Sequence, residues 1–296
     1  MTDVSVIVCT RDRPALLEEC LRSIATSMAG LDAELVVVEA GDSGASQATA
    51  GLGVPTRLLT GGRAGKSRQL NDGIRASDGD LLVLTDDDCR VDPGWLHAMV
   101  RPFTDPAVAL VVSNVRGLSS VTGDPPPLVP PGQPPACTWD YLNGAGMALR
   151  RSAVVGVGGF DERLGPGAPL HGEEHDLALR LFEAGWCAWM ADAPAVEHLD
   201  WRDDQERSDN LLVYSRGAGA FLGAAVRREP GRWLRLLLRR VRYQLELWRA
   251  WRHEGLGFGP RTSLAFARGL ARGVLLRPVR FIDPVLDARR AGGRPS

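Results

Sequence analysis

The chain has 296 residues, 44% hydrophobic and 24% charged, enough apolar material for a sizeable core in one large domain or two smaller ones. No run of about 18 apolar residues marks a membrane-spanning helix, and the opening MTDVSVIVCTRDRP has neither a basic leader nor a cleavage site. The net charge of −1 conceals a split: residues 1–210 carry 17 basic and 31 acidic side chains, and residues 211–296 carry 18 and 5.

In chain order, Val4–Cys9 reads as a buried strand, and Pro14 is placed to open a helix running to about Met28. Leu35–Glu39 is a second strand ending in the turn-rich AGDSGAS, and Thr56–Leu59 a third. Lys66–Ala76 has helical spacing, with Leu70 and Ile74 on one face. Leu81–Thr85 is the next strand, Gly94–Arg101 a helix and Ala107–Ser113 a strand. This alternation predicts a mainly parallel sheet covered by helices on both faces. The run GDPPPLVPPGQPP, 123–135, excludes a helix or a central strand and predicts an extended loop. Asn143–Leu149 reads as a strand and Glu173–Ala184 as a helix.

From Asn210 the pattern is helical in three segments. In GRWLRLLLRRVRYQLELWRAWR, Trp233, Leu237, Val241, Gln244, Leu245 and Trp248 fall near one face, with arginines over much of the rest. Such a helix either lies on a membrane surface or docks on the protein core. Five scattered cysteines (Cys9, Cys20, Cys89, Cys137, Cys187) without a C-x-x-C pair predict reduced thiols in a cytoplasmic protein.

The stretch DGDLLVLTDDDCRVD drives a buried strand into Asp86, Asp87 and Asp88. On an extended path Asp86 and Asp88 share a face and Asp87 points away. Two carboxylates at a strand's carboxyl end suit Mg²⁺ or Mn²⁺, with room left for water and phosphate oxygens. TGGRAGKSRQLNDG ends like a phosphate-binding loop, but Thr60 stands where that pattern needs glycine. It reads instead as a glycine turn before a helix, with Arg68 and Asn71 able to face a ligand. HGEEHDLALRLFEAGW places Glu173, Glu174 and Asp176 in a helix's first turn, as dipole partners or as a carboxylate base. The order of His171, Glu174 and His175 does not fit a zinc peptidase.

Taken together, these segments resemble the family 2 glycosyltransferases of the GT-A fold, over about residues 4–200. VSVIVCTRDRPALLEECLRSI resembles their first strand and nucleotide loop, and LVVVEAGDSG the segment that follows. GKSRQLNDGIRASDGDLLVLTDDDC is similar to the run into their D-x-D motif, and LNGAGMALRRSAVVGVGGFDERL with GEEHDLALRL to their acceptor region. The resemblance implies an α/β, GT-A-like fold: a catalytic domain over 1–205 with a flap near 119–136, and a basic helical extension over 206–296. It implies an inverting, metal-dependent transfer of a sugar from a nucleoside diphosphate to a hydroxyl acceptor. The donor would meet Thr10, Arg11, Arg13, Glu39, Lys66, Arg68, Asn71, Asp86 and Asp87. A divalent Mg or Mn ion would meet Asp88, Asp86 and His198. Glu174 would be the base, with Glu173 and Asp176 beside it. Glu39 and Glu174 stand where the family usually has aspartate. The alternatives are a nucleotidyltransferase, disfavoured because VIVCTRDRP lacks a glycine-rich basic loop, and a non-catalytic nucleotide-sugar-binding protein. Expected partners are the nucleotide sugar and the acceptor. No nucleic acid is expected. The tail would make a peripheral contact with the anionic inner face of the cell membrane, or a homodimer.

Overall fold

The computed structural model describes residues 3–42, 44–113, 115–116, 142–191, 196–199, 204–254 and 259–283. The predicted flap and proline-rich run lie outside them. Strands buried on both faces build the central sheet. β1 (Val4–Thr10), β2 (Ala33–Glu39), β3 (Thr56–Leu59) and β4 (Leu81–Asp86) run parallel. With β6 (Val108–Val112), β8 (Met147–Arg150) and β9 (Cys187–Met190) they give the order β3-β2-β1-β4-β8-β6-β9. β8 is antiparallel to both β4 and β6.

Each strand sends alternate side chains to opposite faces, and each face has its own core. Val6, Val8, Val37 and Val83 meet Leu17, Leu21 and Ile24 of α1 (Pro14–Ser27). The other face carries Ile7, Val36, Val38, Leu82 and Leu84. They meet Leu70 and Ile74 of α3 (Lys66–Ala76) and the apolar side of α6 (Glu173–Glu183). The expected helix at 94–101 is α4 (Trp95–Val100), continued by a 3-10 turn over Arg101–Thr104. Pro102 has no N–H to extend the α-helical ladder. The expected strand from Asn143 begins only at Met147. Gly146 there lies so close to Ser113 that a Cβ would sit 2.6 Å from the serine's own.

Beyond strand β9 and the short helix α5 (Arg151–Gly156), the sequence reading did not anticipate two further local elements. One is α2 (Ala45–Thr49), whose Ala45 N–H donates to the Glu39 carboxylate at 3.1 Å. The other is a small sheet of β5 (Cys89–Val91), β10 (Val196–His198) and β7 (Val115–Arg116). Its register sets His198 opposite Cys89.

The basic segment forms α7 (Asp204–Arg228), α8 (Pro230–Glu254) and α9 (Gly259–Leu275). Ala218, Phe221, Leu222, Trp233 and Phe266 enter the same core as α6. α7 and α9 touch through glycines. A Cβ on Gly269 would strike the Arg216 carbonyl, and one on Gly273 the Ala220 carbonyl. Neither backbone has room to yield. Gly273→Val is therefore expected to lower stability by about 1–3 kcal/mol through overpacking, measured as a fall in the urea midpoint. An unchanged midpoint would refute the close α7–α9 contact.

Candidate active site

The site lies at the carboxyl ends of β1 and β4, where ligands of open α/β sheets bind. Pairing of the two strands sets Cys9 against Asp86. A cavity of about 290 Å³ opens there, lined among others by Thr10, Arg13, Lys66, Gln69, Asp86 and Gly167.

Asp86 ends β4, and the chain then turns at Asp87 and Asp88. The turn breaks the extended path, so the expected alternation fails. Asp87 and Asp88 instead share one cation: the Arg13 guanidinium reaches them at 2.9 and 3.2 Å. The Thr10 hydroxyl donates to Asp87 at 2.8 Å. Burial pushes Asp87 up against the pull of Arg13 and Thr10. Asp86 is bound by the Lys66 ammonium. The three carboxylates are thus compensated in the first instance by Arg13 and Lys66.

Asp88 keeps its other oxygen for a different group. Its Oδ1 lies 3.4 Å from His198 Nε2 and 3.9 Å from Cys89 Sγ. Among the described residues, Asp88, Cys89 and His198 form a buried cluster whose donor atoms lie within 4.8 Å of one another. The carboxylate oxygen and imidazole nitrogen suit Mn²⁺ or Mg²⁺. Cys89 is a soft donor, and burial raises its pKa so that the thiol stays protonated. Asp86, expected beside Asp88 on the ion, is turned to Lys66 instead.

Lys66 joins this centre to a second one. Burial opposes its charge, but Asp86, Glu173 and Glu174 outweigh that and raise its pKa. Glu173 and Glu174 open α6 after Gly172, whose φ of 95° favours glycine. Two adjacent carboxylates away from water do not both ionise readily. Burial pushes Glu173 up, with Glu174 adding to it. Burial acts the same way on Glu174, but His175, Lys66 and a hydrogen bond with Glu173 prevail and hold it down to about 2. The opposite shifts favour a single negative charge on the pair, carried by Glu174. Its Oε2 is buried with no hydrogen-bond donor among the described residues. His175 lies 3.6 Å from the Oε1 atom of Glu174 and stacks on Phe221, with ring centres 4.9 Å apart.

Several expected site residues have other partners. Asn71 is fully buried and clamps the backbone of Phe160, donating to its carbonyl and accepting from its N–H, each at 2.9 Å. Arg68 turns to Glu162 at 3.5 Å. On α3, Lys66 and Gln69 point at the cavity, while Arg68 and Asn71 lie on other faces of the same helix. Glu39 stands at the end of β2, where its carboxylate accepts from the Ala45 N–H. Arg11 lines the cavity, and its side chain is 62% exposed beside Asp12.

Asp176 does not join the glutamates. It binds Arg180 at 2.7 Å and Arg228 at 3.1 Å, locking α6 to α7. Burial would raise its pKa, but the two arginines win and lower it. Its stabilising effect is present above the ordinary carboxylate value of 3.8 and is lost as pH falls through the lower folded value. Asp176→Asn is expected to cost about 3 kcal/mol, because two partly buried arginines lose the buried anion they share. The check is equilibrium unfolding at neutral pH, where wild-type stability in the variant would refute the lock.

Gln69 was missed in the sequence. Its amide nitrogen donates to the carbonyls of Thr10 and Val38 at 3.0 and 2.8 Å, fixing the ends of β1 and β2. A polar residue three positions after Lys66, on the same helix face, was the available signal.

The fold is of the GT-A type, with a cleft over acidic strand ends. Residues 5–143 match the family model of glycosyl transferase family 2. A pre-mycofactocin glycosyltransferase of Mycobacterium tuberculosis is 30% identical over 199 residues, covering 62% of this chain and 40% of that protein. The chain thus spans less than half the length of that relative. A mannosyltransferase of Pyrobaculum calidifontis, solved with GDP-Man and Mn²⁺, superposes with a TM-score of 0.61. It is 19% identical, covering 98% of this chain and 79% of that one. A glucosyl-3-phosphoglycerate synthase of Mycobacterium tuberculosis, solved with Mn²⁺, UDP-Glc and phosphoglyceric acid, gives 0.51 at 20% identity, covering 72% and 78%. At these identities the likeness to both structures is one of fold.

Proposed function

We propose that the protein is an inverting, metal-dependent glycosyltransferase that moves a sugar from a nucleoside diphosphate to a hydroxyl acceptor. The observation that carries this reading is the placement of two charge centres on either side of Lys66. One is the strand-end site of Arg13, Asp86 and Asp88; the other is ionised Glu174 with an oxygen lacking a donor.

The chemistry follows from that placement. The acceptor hydroxyl gives its proton to the Glu174 carboxylate as its oxygen bonds to the anomeric carbon from the face opposite the diphosphate. The sugar–phosphate bond breaks, and its electron pair leaves with the nucleoside diphosphate. Arg13 and Lys66 meet the charge growing there. Asp88 and His198 would hold a divalent cation, which would supply electrostatic stabilisation of the same charge. Thr10 and Gln69 hold the strand ends that frame the cleft. Glu173, whose pKa burial raises, lies beside the base.

A thermal-shift panel of GDP, UDP and their sugars, with and without Mn²⁺, tests the donor side. The matching nucleotide is expected to stabilise by about 2.7 kcal/mol at a hundred times its Kd, and more weakly after chelation. No stabilisation by any of them would overturn the reading. Binding of a nucleotide sugar without transfer or hydrolysis would reassign the chain to a binding role.

A further inference from the structure

The cleft does not use the outer side of α8. Trp233 and Gln244 are buried, and Leu237 and Val241 pack against the core. These residues form the docked face. Leu234, Leu238, Leu245 and Trp248 are instead 47%, 58%, 52% and 43% exposed. At 3.6 residues per turn they fall in a strip about 80° wide and about 21 Å long. Exposed Arg235, Arg242 and Arg249 lie along one edge of that strip. The sequence pattern had merged Leu245 and Trp248 with the face of Trp233; docking separates the two.

We infer that this strip of α8 seats the protein on an anionic lipid surface. Large apolar side chains left in water on one helix face call for a cover. An interfacial position buries the leucines and Trp248 at the depth of the headgroups, while arginine stems lie along the apolar layer and their guanidinium groups meet lipid phosphates. No helix among the described residues is long and apolar enough to cross a bilayer, so the contact is peripheral. Charge decides between lipid and a second copy of the chain. α8 carries seven arginines against Glu246 and Glu254, and residues 211–296 carry 18 basic and 5 acidic side chains. A two-fold contact through this strip would set arginines against arginines, whereas an anionic surface complements them. This inference goes beyond the transferase reading and does not depend on it.

The test is co-sedimentation of the intact chain with vesicles of phosphatidylcholine alone and of phosphatidylcholine with phosphatidylglycerol. Binding is expected on the anionic vesicles at low salt, and to fall about tenfold or more at high salt as the Debye length shrinks from about 10 Å to about 3 Å. Arg235→Gln/Arg242→Gln/Arg249→Gln and Leu238→Ser/Leu245→Ser should each weaken partitioning at least tenfold, with unchanged melting and nucleotide binding. The Trp248→Phe variant should lose the blue shift that vesicles induce in wild-type fluorescence. Equal recovery in the supernatant with both vesicle types overturns the inference, as does variant binding equal to wild type. A dimer broken by Leu238→Ser/Leu245→Ser, without vesicle binding, assigns the strip to a second copy instead. Nucleotide-induced stabilisation is read separately, so failure here leaves the transferase reading intact.

Discussion

Glu174→Gln is expected to retain nucleotide binding and to lose transfer by on the order of 10²–10⁴-fold, the scale of general-base removal. Glutamine keeps the shape of the side chain and removes the proton acceptor. Glu173→Gln provides the contrast. Burial and the neighbouring Glu174 make Glu173 hold its proton more tightly than usual, so its amide substitutes for a protonated acid and transfer should persist. The pair also fixes a pH dependence. A carboxyl raised by burial binds its proton more tightly folded than unfolded, so Glu173 lowers stability as pH rises from its ordinary value of 4.5 toward the folded value. Glu173→Gln removes that loss and should melt higher than wild type at neutral and alkaline pH. Glu174 is held to about 2, so transfer should show no acid limb from this group between about pH 5 and pH 8. Single-turnover rates and melting curves of both variants measure these outcomes. Full transfer by Glu174→Gln with loss in Glu173→Gln would exchange the two roles.

Asp88→Asn is expected to remove the response to Mn²⁺ and to slow transfer by about 10²-fold or more, because a charged stabiliser of the leaving group goes with it. The fold should survive. Arg13 keeps Asp87, and the Asp88 carbonyl keeps its 2.8 Å bond from the Leu199 N–H. His198→Ala should weaken the same metal response, since its Nε2 faces the same carboxylate oxygen. Titrating Mn²⁺ against nucleotide-induced stabilisation separates metal binding from turnover. A wild-type Mn²⁺ midpoint and full transfer in Asp88→Asn would remove the metal from Asp88.

Local sequence determined a great deal here. Leu81–Leu84 running into three aspartates placed an acidic site at a strand's carboxyl end, and the structure has β4 ending at Asp86. The spacing of Leu70 and Ile74 placed the inner face of α3, and both are buried. Acids in the first turn of Glu173–Glu183 marked a helix start. These features are legible because burial period, turn residues and helix polarity act over a few neighbouring positions.

Only the tertiary structure decided which neighbour each charge would meet. The turn at Asp87 cancelled the alternation expected of the aspartates, and Arg13, more than seventy residues away, took two of them. Asp176 and Glu174 lie two positions apart in one acidic run, yet α7 claims Asp176 through Arg228 while Glu174 faces Lys66. His198 reaches Asp88 because β10 pairs with β5, a register that no local pattern specifies. In α8, periodicity defined an apolar arc, and packing chose Trp233 for the core and left Trp248 in solvent. A sequence sets which side chains share a face. Which face is covered, and by what, depends on contacts between segments far apart in the chain, and those exist only in the folded protein.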